Sequence, residues 1–183
     1  HHSLFELCPL PVVFNATVDS IKKQGDGQFH VSTTDGQSYQ SRFVVIALGR
    51  MGKPNRPDYF NDIPPNARKR VQFDVRNLDA SGKSLLVVGG GNSAIEFALS
   101  LSQKGNVTVS YRKDVFSRLN PMNQSLLQGD EKAGKIRVLR NSEIVSVGET
   151  QGMPLVRFKE GTDVCFDNVI YGIGGSSPAA FLQ

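Results

Sequence analysis

The sequence predicts an α/β fold in which a parallel sheet is completed by a β-meander, preceded by a second β-rich region. Three observations predict this fold. An apolar strand at residues 85–88 runs into three glycines and then directly into a helix. Further along, a series of short strands with alternating apolar and polar residues leads to a final apolar strand. This strand covers residues 168–174 and stops at glycine. The same series occurs once more near the start of the chain, over residues 15–49.

The three glycines begin the pattern Gly89-x-Gly91-x-x-Ala94, between the strand and a helix predicted over residues 92–103. This spacing is the dinucleotide fingerprint of a Rossmann-like βαβ unit, with alanine in its third position. Gly89 permits the tight turn, Gly91 lets a pyrophosphate approach the backbone, and Ala94 lets the helix lie close to the sheet. The first N–H groups of the helix and its positive dipole end favour phosphate binding. The sequence therefore predicts a dinucleotide site.

The next strand, predicted over residues 107–111, ends in cations where an NAD-specific site usually carries an acid for the ribose. Arg112 and Lys113 follow the strand directly, and Arg118 lies in the loop after it. A carboxylate would repel a 2′-phosphate, whereas arginine can bind it through two parallel hydrogen bonds. The alternative is that these side chains are ordinary solvated cations. We expect the site to prefer NADP(H) to NAD(H).

One more helix and one more parallel strand complete the predicted βαβ unit. Leu126 and Leu127 give residues 121–133 an apolar side, and the charged residues after them provide a polar side. The strand predicted over residues 135–139 then leads into the second meander.

An internal repeat indicates that the chain contains parts of two such domains. Residues 15–21 resemble residues 141–147, and each copy continues through a second strand, a tight turn and an apolar strand that stops at glycine. Each copy is therefore predicted to be a meander that returns to a final parallel strand, over residues 43–49 in the first. Only the second copy is preceded by a glycine-rich βαβ unit.

The repeat predicts four segments. Residues 1–55 are expected to be the C-terminal part of a first dinucleotide-binding domain, with His1-His2 as the remainder of a tag. Residues 56–82 are expected to be a linker, residues 83–178 the second dinucleotide-binding domain, and residues 179–183 the start of a return to the first. Unpaired apolar strands in the first segment favour self-association, for example a homodimer.

Composition limits the classes of partner. The net charge of +4 is spread without a long basic block, so we expect no nucleic-acid partner. No apolar run approaches the ~18 residues of a membrane-spanning helix, so we expect no membrane partner. Cys8 and Cys165 lie far apart and lack metal-ligand spacing. They indicate a reducing compartment such as the cytoplasm and predict no metal site.

These motifs resemble those of flavoproteins with two dinucleotide-binding domains, specifically thioredoxin-reductase-like pyridine-nucleotide oxidoreductases. The resemblance covers the chain from Pro11 onward. It is carried by residues 89–96, by Tyr111-Arg112-Lys113 with Arg118, by Ala47-Leu48-Gly49 and by Gly172-Ile173-Gly174. It implies that the first domain binds FAD and the second NADPH. It also implies hydride transfer from NADPH to the flavin, which then reduces a disulfide or another small acceptor.

The resemblance implies a cofactor site drawn from four parts of the second domain. These parts are Gly89, Gly90, Gly91, Asn92, Ser93 and Ala94 at the pyrophosphate, Glu96 near the nicotinamide, Tyr111, Arg112, Lys113 and Arg118 at the 2′-phosphate, and Ile173, Gly174 and Gly175 beside the cofactor. For Glu96 the alternative is a first-turn acid that is stabilised by the helix dipole. No catalytic residue is assigned, because the acceptor site depends on both domains.

The sequence departs from the family pattern in two ways. Disulfide-reducing thioredoxin reductases carry Cys-x-x-Cys just before the fingerprint strand, but residues 57–83 contain no cysteine. We therefore expect no dithiol chemistry in this domain. The FAD fingerprint is also missing, so this chain alone is expected to be colourless and inactive. An FAD-dependent monooxygenase fragment and a non-catalytic NADP sensor remain the alternatives.

Overall fold

The computed structural model describes residues 11–47 and 53–176, and the chain divides after Ala47 into two compact units. In the first unit, three strands form an antiparallel sheet in chain order. These strands are β1 (Val18–Lys23), β2 (Phe29–Thr33) and β3 (Ser38–Ser41). The predicted tight turn at Asp35-Gly36 joins the last two, and Gly36 takes a φ of +82° there. The first meander is therefore confirmed.

The final strand predicted over residues 43–49 is wrong for residues 43–47, which form no strand; its last two residues lie outside the described range. Phe43 is 82% exposed and Val45 is 89% exposed. A buried parallel strand needs hydrogen-bonded neighbours and covering layers. Residues 43–47 have no such neighbour within the described part of the first unit.

The second unit is built on a five-stranded parallel sheet in the order β4-β11-β5-β6-β7. Its strands are β4 (Val71–Gln72), β5 (Ser84–Val88), β6 (Asn106–Ser110), β7 (Ile136–Leu139) and β11 (Asn168–Tyr171). The central strand β5 is paired on both sides, and its residues alternate between the two faces. The predicted Rossmann-like sheet, including the returning strand β11, is confirmed.

Two layers cover this sheet. On one face, α2 (Asn92–Leu101) and α3 (Pro121–Lys132) pack against Leu85, Val87 and Ile170. On the other face, an antiparallel meander packs against Leu86 and Val169 through Phe158 and other apolar side chains. The meander consists of β8 (Ile144–Thr150), β9 (Met153–Phe158) and β10 (Asp163–Cys165). The predicted meander crossover is therefore confirmed.

Much of the segment predicted as a linker, residues 56–82, is folded into the second unit. It contains a 3-10 helix (Asp58–Asp62), the short helix α1 (Pro65–Arg68) and the edge strand β4. Ile63 and Ala67 are buried against the meander face of the sheet. The elements are too short to produce a recognisable periodicity, whereas their prolines and charges are typical of loops.

The described residues also bear on the predictions about membranes, metal ions and cysteines. None of the described helices is both long and apolar enough to cross a membrane. Over residues 11–47 and 53–176, no three His, Cys, Asp or Glu side chains lie together as metal ligands would. Cys165 is a free thiol in β10, and Cys8 lies outside the described residues.

Candidate dinucleotide site

The turn after β5 requires glycine at position 89. Gly89 has a φ of +143°, which a side chain rarely permits. A Cβ atom there would lie 2.4 Å from the carbonyl oxygen of Gly172 and 3.0 Å from Cβ of Ala94. The Gly89 N–H donates to the carbonyl of Ser110 at 3.0 Å, which fixes the turn at the carboxyl end of the sheet.

Gly172 and Ala94 bring α2 close to the sheet. A Cβ atom at Gly172 would lie 2.6 Å from Cβ of Ala94 and 2.7 Å from its Cα. Ala94 is fully buried, so neither residue has room for a larger side chain. Gly172 was not among the site residues predicted from the sequence, although the apolar strand that stops at glycine pointed to it.

Gly90 packs on an aromatic ring. A Cβ atom at Gly90 would lie 2.2 Å from the ring of Tyr111, which is buried and stacks on Phe116 with ring centroids 4.5 Å apart. The sequence predicted that Tyr111 takes part in cofactor binding. The structure places the Tyr111 ring against Gly90, where it supports the backbone of the turn.

Gly91 differs from its two neighbours because its missing side chain leaves open space. No atom lies within 4 Å of the position of a Cβ there. The residue is the N-cap of α2, and the N–H groups of Ser93 and Ala94 find no acceptor within residues 53–176. Open space next to unpaired helix N–H groups is the geometry in which proteins bind phosphate. The turn therefore fits a pyrophosphate.

The three predicted cations lie on one loop whose backbone is fastened at both ends. Arg112, Lys113 and Arg118 are all exposed, and none of them takes part in a salt bridge among the described side chains. The backbone of Arg118 pairs with that of Gly91 in an isolated parallel bridge. The structure therefore brings the loop and the glycine turn together.

The other end of the loop is fixed by β7 and the residues after it. The N–H of Tyr111 donates to the carbonyl of Leu139 at 2.9 Å, and the N–H of Asn141 donates to the carbonyl of Lys113 at 3.2 Å. Arg112 therefore projects from a defined backbone position. The pKa of the Glu143 carboxyl is lowered, chiefly by a hydrogen bond from Lys159 and also by the charge of Arg112.

Asn92 and Glu96 have partners that the sequence did not reveal. Oδ1 of Asn92 accepts from the N–H of Asn120 at 2.9 Å and from Nδ2 of Asn123 at 3.1 Å. The same Nδ2 donates to Oε1 of Glu96 at 3.1 Å. Asn120 precedes Pro121 and accepts from the N–H of Asn123 at 2.8 Å, as a helix N-cap does. The Asn-Pro pair was the available sequence signal for the cap.

The last predicted part of the site, Ile173 to Gly175, pairs with residues 53–55. The N–H of Asn55 donates to the carbonyl of Gly174 at 2.9 Å, and Gly174 takes a φ of +88°. Pro54 and Gly175 form an antiparallel bridge. The exit of β11 is thereby held beside the turn formed with Gly89, and Ile173 stays 38% exposed.

Residues 2–183 match a protein family described as pyridine nucleotide-disulphide oxidoreductase. A ferredoxin–NADP reductase from Ignicoccus hospitalis is 32% identical over 162 residues, which cover 85% of this chain and 50% of that protein. The bacillithiol disulfide reductase of Staphylococcus aureus has a similar structure, with a TM-score of 0.73 and 24% identity. The similarity covers 100% of this chain and 55% of that one.

A thioredoxin reductase from Lactococcus lactis is also similar in structure, with a TM-score of 0.71 and 24% identity. The similarity covers 92% of this chain and 55% of the other. At these identities the two solved structures establish the fold. The chain spans about half the length of the curated relative described above.

Proposed function

The chain belongs to the pyridine nucleotide-disulphide oxidoreductase family, and from this premise we propose that its second unit is the NADP(H)-binding part of an FAD-dependent oxidoreductase of the thioredoxin-reductase-like kind. The observation that supports this proposal is the open turn at Gly91 with the exposed cation loop fastened beside it. When bound, NADPH supplies a hydride that FAD accepts.

The pyrophosphate is proposed to lie against the start of α2. Gly91 has no side chain to block it, and the N–H groups of Ser93 and Ala94 are available as donors. The partial positive charge at this helix end favours the anion further. Gly89, Gly90 and Tyr111 then act indirectly, because they shape the turn instead of touching the ligand.

The 2′-phosphate is proposed to bind the cation loop. Arg112 is held by backbone hydrogen bonds of the residues on either side of it, and its exposed guanidinium can form two parallel hydrogen bonds with a phosphate. Lys113 and Arg118 add positive charge from the same loop. This charge favours NADPH, because NADH lacks the 2′-phosphate.

The electron acceptor is proposed to lie outside this chain. The related protein of Ignicoccus hospitalis is by name a ferredoxin–NADP reductase, so a ferredoxin is the first acceptor to test. A dithiol in this domain is not part of the proposal, since the sequence holds only Cys8 and Cys165 and the second lies in β10 of the meander. FAD is proposed to bind the domain to which the first unit belongs.

Calorimetric titration with NADPH and NADH tests the site. Arg112→Ala should weaken NADPH binding about ten- to a hundredfold, because one charge-assisted contact contributes roughly 1.5–3 kcal/mol. NADH binding should barely change. Arg137→Ala removes another exposed arginine, from within β7, and serves as the matched control. Equal losses of both nucleotides in Arg112→Ala, or a wild type that prefers NADH, would contradict the assignment.

The position of the pyrophosphate has its own test. The Cβ atom of Gly91→Val has open space around it, and the side chain extends into the space proposed for the ligand. NADPH and NADH binding should therefore weaken alike, and a thermal melt shows whether the domain stays folded with valine at the N-cap. A Gly91→Val protein that binds both nucleotides normally would place the pyrophosphate elsewhere.

The flavin assignment predicts that this chain alone lacks flavin chemistry. Purified protein should show no flavin absorbance band and should not oxidise NADPH, because the glycine-rich unit expected for FAD is not in the sequence. Bound FAD, released on denaturation, would overturn this expectation.

A further inference from the structure

The side chains of Asn92 and Asn123 join the glycine turn to the end of the cation loop, and Asn123 is buried. Asn123 is 5% exposed, and its Nδ2 donates to both Asn92 and Glu96 of α2 at 3.1 Å. Asn92 also accepts from the backbone N–H of Asn120 at 2.9 Å. Together these bonds connect the first turn of α2 to the first turn of α3.

The contacts engage the side-chain oxygen of Asn92. Its Oδ1 accepts two hydrogen bonds from within the protein, at 2.9 and 3.1 Å. The sequence motif placed Asn92 at the pyrophosphate, but this oxygen is directed to the end of the cation loop. A carbonyl-type oxygen has two lone pairs, so both are already used.

Burial of an amide at position 123 is not explained by stability alone. Asn123 lies on the buried side of α3, one turn before the buried Leu127. A buried polar group contributes little net stability even when it is fully hydrogen-bonded, whereas an apolar side chain of similar size would contribute through its burial. The hydrogen bonds of the amide fix the orientation of α2 relative to α3.

The asparagine contacts lie next to the C-terminal end of the cation loop. Arg118 pairs through its backbone with Gly91, and Asn120 follows two residues later with its N–H on Asn92. The loop from Arg112 to Arg118 therefore has one end on β7 and the other on the asparagine contacts. Loss of these contacts leaves the second end held by the backbone bridge of Arg118 with Gly91 alone, and it leaves the glycine turn intact.

We propose that Asn123, acting through Asn92 and Asn120, is a positioning residue that sets the preference for NADP(H) by holding the cation loop on the glycine turn. This inference rests on the proposed function, since it assumes that the loop binds the 2′-phosphate. The effect is selective: the cations of the loop lose their position, while the pyrophosphate donors on α2 keep theirs.

The experiment compares Asn123→Ala with wild-type chain in two measurements. Hydrogen exchange of the nucleotide-free protein should be at least about threefold faster over residues 112–120, and unchanged in β5. Calorimetry should show NADPH binding weakened about three- to tenfold, as expected for one or two lost hydrogen bonds, with NADH binding within about twofold of wild type. Gln124→Ala removes an exposed amide from the next position of the same helix and should change neither quantity.

A second variant guards against a protein that fails to fold. Asn123→Asp keeps the shape of the side chain but replaces the donor with a carboxylate that faces Glu96 and Oδ1 of Asn92. It should show the same selective loss of NADPH binding, and a thermal melt shows whether the domain is folded. Restoration of a donor–acceptor pair in the double variant N123D/E96Q should recover part of the lost NADPH affinity.

Each result has a defined meaning. Unchanged exchange over residues 112–120, or equal losses of NADPH and NADH affinity, would overturn the positioning role. A wild type that binds NADH as tightly as NADPH would contradict the proposed function and, with it, the preference that Asn123 is proposed to set. Faster loop exchange in that case would still show that the asparagines fasten the loop, so the two failures can be told apart.

Discussion

The two meanders of this chain carry similar apolar endings but reach different structures. In the second unit, Val169 and Ile170 lie in β11 between two parallel neighbours and are fully buried. In the first unit, Val45 is 89% exposed and Ile46 is 48% exposed, in a segment that forms no strand. An apolar run with β-branched residues therefore becomes a strand only where neighbouring strands pair with it.

The largest expected difference between the units is the cost of removing an apolar side chain. Ile170→Ala should lower the free energy of unfolding by about 2–5 kcal/mol, because it leaves a cavity between the sheet and α2. The same change at the partly exposed Ile46 should cost less than about 1 kcal/mol. Urea unfolding followed by circular dichroism measures both, and similar losses would remove the distinction between the two endings.

The glycine that follows β11 sharpens the comparison further. Gly172→Ala should lower the free energy of unfolding by about 1–3 kcal/mol, since its new methyl group meets Ala94 at 2.6 Å. Gly148→Ala in β8 is the matched control, because its nearest atom is 3.8 Å away and its φ is not positive. Its effect should stay within about 0.5 kcal/mol. A neutral Gly172→Ala would mean that α2 can move away from the sheet without cost.

The smallest expected effect is a loss of stability at alkaline pH that arises from a buried tyrosine of the second unit. Burial raises the pKa of Tyr171, whose hydroxyl lies 3.0 Å from that of Tyr59. A phenol that ionises near pH 10 only when unfolded stabilises the folded state below that pH, and this contribution falls as pH rises further. The urea midpoint should therefore fall from pH 9 to 11.

Replacement of the buried phenol tests the cause. Tyr171→Phe should flatten the alkaline decline, whereas Tyr39→Phe, at a position 42% exposed in the first unit, should leave the slope as in the wild type. An unchanged slope in Tyr171→Phe would assign the decline to other groups.

Much of the fold could be predicted because its signals are local. The glycine spacing after an apolar strand predicted the turn, and α2 begins at Asn92 as expected but ends at Leu101. The helix predicted over residues 121–133 is α3, within one residue. Long apolar periodicities and glycine turns are recognisable without knowledge of the rest of the chain.

The remaining features depend on contacts between distant residues. Nothing local shows that Tyr111 lies behind Gly90, since this depends on the path of the chain after β6. Asn123 has the polarity of an exposed helix residue, and only the neighbouring helix reveals why it is buried. No local pattern likewise shows that residues 43–47 lack a paired neighbour in the described part of the first unit.

The close packing of Gly89, Gly90, Ala94 and Gly172 has a consequence for how such a protein can change over generations. A Cβ atom added at Gly89, Gly90 or Gly172 would lie within 2.2–2.6 Å of backbone, a buried ring or a helix. Substitution of these glycines is therefore strongly disfavoured. The exposed cations of residues 112–118 carry no comparable constraint. Under the proposed function, selection for a different coenzyme can therefore change these few surface residues while the packing beneath them stays the same.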